Sequence, residues 1–314
     1  LLAAFGSTLA ALLVGVGARD LGGRQREPRP STDTPVAETR EPRSDVSLVV
    51  GASAAFATGA LSLAGEVLWT RALRLVVQAS SQAFAAMLVS YLLGIALGSA
   101  LTQRARGEGR DALRALGRVQ IALSFLTAVG MAALPLVPRL LVMIHGEAEL
   151  VPSSPWVILG VSALLLLPLA TVLGTGLPWL VRAVTAGRGQ EGAATGVVLG
   201  ANTVGGLAGS LGAGFLLVPA LGLERSLHLV VLAHALVGGV ALLFASDGAP
   251  RRIEALALPV IVAGLFLRFQ PSIHLPFLLD AWYEPTRAVI EGPTDRYEEN
   301  LVFLREGRNT TVTV

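Results

Sequence analysis

The sequence predicts an all-α polytopic membrane helix bundle of about seven or eight spans that ends in the start of a β-hairpin. Three observations carry this expectation. Of 314 residues, 53% are hydrophobic and 15% charged, and the mean hydropathy is +0.65, too apolar for a chain of this length to be solvated as one soluble domain. The apolar residues form continuous runs of roughly 17–25, the length that crosses a hydrocarbon core about 30 Å thick. The arginines cluster between those runs.

Taken in order, residues 1–18 are apolar with no basic segment ahead of them, so they read as the end of a preceding membrane helix and not as a signal peptide. Residues 19–45 alternate Arg with Asp and Glu around Pro28, Pro30, Pro35 and Pro42, the composition of a flexible linker. The bundle occupies 46–270, with helices expected at 46–68, 79–101, 119–143, 156–181, 195–221, 227–245 and 253–269. Pro168 and Pro178 predict a kink or break in the fourth of these. The apolar core of the seventh is short and contains Pro259, so a full crossing and a half-inserted interfacial helix are both open. From 271 to 314 the character changes: Trp282, Tyr283 and Tyr297 stand among charges, and two β-prone runs, 301–304 and 310–314, flank a Gly307-containing turn. A soluble domain begins there. With no Met at position 1 and Val314 inside an expected strand, the chain reads as part of a longer protein.

Charge placement gives the orientation. All 24 basic residues are Arg. Arg19 to Arg43 lie in the linker, Arg104, Arg106, Arg110, Arg114 and Arg118 in the loop after the second helix, Arg182 and Arg188 after the fourth, Arg251 and Arg252 after the sixth. These four groups share one side, and the opposite side carries only Arg71, Arg74, Arg139 and Arg225, so the Arg-rich side is expected in the cytoplasm. The pI near 9.6 comes with a net charge of only +2 spread along loops, which excludes a nucleic-acid surface as its explanation. With no Cys there is no disulfide, thiolate metal site or cysteine nucleophile, and His145, His228, His234 and His274 lack metal-ligand spacing. No G-K-[ST] occurs, so the glycines cradle no phosphate.

Four residues make the candidate intramembrane polar site: Glu66, Arg71, Gln82 and Asn202. An acid in a membrane helix costs of order 3 kcal/mol at the centre and must find a partner, water or a proton. Glu66, placed about one turn inside the interface, reads as paired with Arg71 or Arg74 or with a polar group near Gln78 to Gln82; its functional reading is a proton or cation site. Trp69 reads as an interfacial anchor. Gly94 and Gly98 form a small-xxx-small face, and the run from Gly196 to Gly214 marks a closely packed helix in which Asn202 bridges to a neighbour or touches a ligand.

Taken together, Glu66 to Arg71, the Ser80-Ser81-x-Ala83-Phe84 start of the next helix, its Leu92 to Ser99 end and the run from Asn202 to Phe215 resemble the membrane domain of bacterial proteins that fuse a transporter-like unit to a spermidine-synthase-like domain. The tail from Phe303 to Val314 resembles the hairpin that precedes the Rossmann-type fold of spermidine synthases. Arg104, Gly107, Gly109 and Arg110 are also similar, loosely, to the basic loop of major facilitator transporters, with different spacing and without its acid.

The resemblance implies the membrane module of a polyamine aminopropyltransferase-like protein, multi-pass in the bacterial cell membrane, with its catalytic domain beyond Val314. It implies no catalytic, cofactor-binding or metal-binding residue within this chain; decarboxylated S-adenosylmethionine would be the co-substrate of an active parent. A membrane transporter or exporter, of polyamines for instance, and a non-catalytic anchor or scaffold subunit are the alternatives. The expected partners are the lipid bilayer and a second copy through the Gly-rich helices, with no nucleic acid.

Overall fold

The computed structural model describes residues 46–77, 80–145, 154–185, 191–246, 249–274, 278, 304–306 and 311–313. They belong to a unit spanning Arg43–Val314. The helix end expected at 1–18, the linker at 19–45 and most of the expected soluble domain after 274 lie outside the described residues.

Eight α-helices follow in order: α1 Leu48–Val77, α2 Ser81–Gln103, α3 Gly109–Ala133, α4 Leu136–His145, α5 Pro155–Thr185, α6 Glu191–Gly212, α7 Val218–Phe244 and α8 Ala249–Phe269. A π-helical turn, Ala213–Leu217, joins α6 to α7. Two strands, β1 Leu304–Glu306 and β2 Thr311–Thr313, pair antiparallel with Arg305 opposite Val312; the turn expected between them lies outside the described residues.

Among the described residues five helical runs are long and apolar enough to cross a membrane: α1, α2, α3, α5 and the stretch Glu191–Phe244, with a shorter apolar helix over Ala255–Phe269. The stretch Glu191–Phe244, at about 1.5 Å per residue, is roughly twice as long as a bilayer core needs. Gly222 divides it. Its φ of 81° and ψ of 169° break the helix, and Ser226 Oγ donates to the Gly222 carbonyl 2.5 Å away.

The boundaries depart from the expected ones where charge stands next to apolar sequence. α1 continues past Leu68 to Val77 with Arg71 and Arg74 as helical residues, since a long arginine can reach outward without ending a helix. Arg110, Arg114 and Arg118 are not in a loop; they stand on α3, four residues apart and therefore on one face. The expected helix at 119–143 is two helices, because a turn at Leu134 and Pro135 separates α3 from α4. α5, by contrast, runs unbroken through Pro168 and Pro178. Pro178 has no N–H for the Gly174 carbonyl one turn earlier, and Ser99 of α2 donates its hydroxyl to that carbonyl at 3.0 Å.

Glycines set the helix contacts. A Cβ on Gly94 would come 2.5 Å from Ala170 Cβ, and one on Gly98 would collide with the Thr171 carbonyl, so α2 and α5 run parallel with backbones touching. Likewise Gly205 meets the Phe56 carbonyl, Gly209 the Ala60 carbonyl, and Gly59 the Asn202 carbonyl, which makes α1 and α6 parallel. α3 and α7 run antiparallel: Gly117 and Gly238 face each other, and the Ser124 hydroxyl donates to the Val231 carbonyl at 2.7 Å.

These directions bring the Arg-rich segments to one end. Arg182 donates to the Ala105 carbonyl at 2.6 Å and Arg114 to the Ala245 carbonyl at 2.7 Å, while Gly51 near the start of α1 lies against Val184. α8 then follows α7 along its full length. Pro259 fits against Gly239, the His228 ring sits edge-on to Phe266 at 5.1 Å, and Ser272 donates to Glu224 at 2.9 Å, so residues 270–274 lie at the Gly222 end. Outward faces are apolar, with Phe84, Leu92, Leu164, Leu207, Leu236 and Val260 all exposed, as a lipid-facing surface requires.

Candidate functional site

Glu66 sits in the interior of α1, eleven residues before Val77. That is about 16 Å of helix rise, roughly half the thickness of a bilayer core. The helix expected to end at Leu68 thus continues about three turns past Glu66. Tyr91, ten residues into α2, reaches the same level. Between them lies a small cleft lined by Glu66, Thr70, Phe84, Met87, Tyr91 and Leu166 of α5, among others. It encloses about 20 Å³, room for one water.

Tyr91 is buried and its hydroxyl has no hydrogen-bond partner among the described residues. It shares the lining of the cleft with Glu66. Glu66 itself is half-buried. Among the described residues no ion pair of Glu66 is seen, and Arg74 is exposed. Helix geometry gives the reason. Five residues turn Arg71 about 140° away from Glu66, and eight turn Arg74 about 80° away and place it some 12 Å further along.

The other proposed members are not gathered here. Gln82 is exposed on the first turn of α2 and does not line the cleft. Asn202 is half-buried on α6, where its carbonyl and Oδ1 press against Gly59, so it serves the α1–α6 contact. Trp69 is no interfacial anchor: only 2% of it is exposed, and its ring fills the space over Gly130, where a Cβ would come 2.6 Å from the ring edge.

A second polar cluster is one that the sequence reading missed. Gln120 of α3 donates to Thr58 Oγ1 of α1 at 2.9 Å and accepts from His234 Nδ1 of α7 at 2.6 Å. Gln120 is fully buried and the other two nearly so, and the chain of bonds leaves the amide satisfied on both sides. The available signal was a lone Gln and a lone His inside apolar runs, each of which must find a partner in lipid. At the Arg-rich end, Arg182 also stacks over the Trp179 ring at 5.4 Å, the arrangement of an interfacial cation–π pair. No group of three or more His, Asp or Glu able to hold a metal occurs among the described residues.

Comparison with protein-family models, with characterised proteins and with solved structures gives no match to this chain.

Proposed function

We propose that this chain is the membrane module of a spermidine-synthase-like integral membrane protein of the bacterial cell membrane, with an aminopropyltransferase-like catalytic domain following Val314. The observation that carries the module reading is the closure of the bundle. α2 against α5 and α1 against α6 meet backbone to backbone at Gly94, Gly98, Gly59, Gly205 and Gly209, and the cleft at Glu66 holds about one water. A bundle packed this way suits an anchor that holds a domain at a membrane. The resemblance in the runs from Glu66, Leu92 and Asn202 supplies the identity of that domain.

In this reading each apolar run is one crossing: α1, α2, α3, α5, residues 191–221, residues 223–244 and α8, with residues 1–18 as the end of one more. The Arg-rich end faces the cytoplasm, and the chain leaves α8 on the opposite face. Self-association through the Gly-rich helices belongs to the same proposal, and it would use Gly196 and Gly200, which stand clear, since Gly205 and Gly209 are occupied by α1.

The test is an aminopropyl-transfer assay on the protein extended past Val314, with decarboxylated S-adenosylmethionine and a diamine as substrates. Transfer that is lost when the chain ends at Val314 is the expected result. Absence of transfer, together with polyamine flux in vesicles carrying the 314-residue chain, would overturn the module reading in favour of a transporter.

A further inference from the structure

Among the described residues Glu66 stands inside a long apolar helix, whereas Glu108, Asp111 and Glu191 lie at helix starts, Glu224 beside the Gly222 turn, Glu254 just before the apolar stretch Ala255–Phe269 and Glu306 on β1. We propose that Glu66 is a proton-binding site within the apolar helix α1, opening sideways toward lipid, with one cleft water linking its carboxyl group to the Tyr91 hydroxyl.

Three features of the cleft lead to a proton and not to a metal cation. A single carboxylate offers a single negative charge, so the site suits a monovalent ligand. Oxygen-bearing side chains number three, Glu66, Thr70 and Tyr91, whereas a hard cation stripped of its water takes about six oxygens. The free space fits one water, enough to carry a proton to the carboxylate and away again. In the binding step the carboxylate takes a proton delivered through that water, becoming a neutral carboxyl; release returns it the same way, and no other bond changes. The buried Tyr91 hydroxyl makes no hydrogen bond among the described residues, which leaves it free to bond the cleft water that serves the carboxylate and the carboxyl alike.

The surroundings bear on the same conclusion. Tyr91 is the titratable group of α2 that lines the cleft; α5 contributes Leu166, and neither Arg71 nor Arg74 of α1 is among the lining residues. Phe84 and Leu88 line the cleft and are exposed on the apolar outer surface, so a lipid-soluble reagent can enter between them.

The experiment uses the full chain in lipid nanodiscs and dicyclohexylcarbodiimide, an apolar reagent that adds to protonated carboxyls, with the adduct located by peptide mass spectrometry. The expected result is an adduct on Glu66 at acid to neutral pH that declines about tenfold per pH unit beyond its half-point. Sodium ions should leave it unchanged. Tyr91→Phe should move the half-point while leaving thermal stability near that of the parent chain, a shift that a purely structural tyrosine would not produce. No adduct on Glu66 at any pH would overturn the proposal, and protection by sodium would overturn it in favour of a small-cation site. Because the readout is on the unmodified chain, it stands even if Glu66→Gln does not fold, and it is independent of any domain beyond Val314.

Discussion

Gln120 and His234 lie 114 residues apart in sequence and are joined by a 2.6 Å hydrogen bond in the interior of the bundle. Because the Gln120 amide donates its N–H to Thr58, its oxygen faces His234, and the proton of that bond belongs to His234 Nδ1. One side chain of α3 thereby ties α1 to α7. Gln120→Leu should strand the Nδ1–H of His234 and destabilise the bundle by about 1–3 kcal/mol, the cost of an unpaired buried donor. Gln120→Leu combined with His234→Leu should cost less than the sum of the two single changes, a coupling of about 0.5–2 kcal/mol. Unfolding of the four proteins in mixed detergent measures it; additive effects would contradict the bond.

The glycines of α6 divide into two sets that should respond differently to the same change. Gly205→Leu and Gly209→Leu drive side chains into the α1 backbone and should cost roughly 1–3 kcal/mol or more. Gly200→Leu enters open space and should change stability by no more than about 0.5 kcal/mol. Thermal melts in detergent separate the two, and equal effects at Gly200 and Gly209 would show that α6 does not use the Gly209 face against α1.

Two tryptophans offer a similar contrast. Trp69 is packed on Gly130 with 2% of its surface exposed, and Trp156 at the start of α5 is 80% exposed. Trp69→Ala should cost about 3–5 kcal/mol by leaving a cavity, and Trp156→Ala at most about 0.5 kcal/mol in detergent. The same melts decide it; a larger loss at Trp156 would return Trp69 to the interfacial role that its sequence position suggests.

Features governed by local apolar length are readable from the sequence alone. The helix end expected at 221 coincides with the break at Gly222, although the next helix resumes there and not at 227, and the Arg-rich segments expected on one side share one end of the bundle. Features governed by register are not. Arg71 and Arg74 sit beside a polar turn and suggest an ending, yet α1 continues through them and thereby sets Glu66 about three turns before the helix end. The arginines at 110, 114 and 118 carry a helical spacing that a reading by charge alone passes over. Which polar residues meet depends on how helices distant in sequence are rotated about their axes, so Gln120, His234 and Thr58 meet while Gln82 and Asn202 stay apart from Glu66. A proline follows the end of α3 at 135, whereas α5 runs through both Pro168 and Pro178, and at 178 the Ser99 hydroxyl takes up the freed carbonyl one turn back.

If every apolar run crosses the bilayer, α8 included, and the Arg-rich end lies in the cytoplasm, the residues after α8 lie on the opposite side. Arg106 and Gln270 are both exposed, the first at the Arg-rich end and the second just after α8. Since the chain has no Cys, Arg106→Cys and Gln270→Cys each create one thiol, to be probed in intact cells with a membrane-impermeant maleimide. The account predicts labelling at position 270 and protection at position 106 until the membrane is opened. Labelling at 106 in intact cells, or protection at both positions, would contradict it.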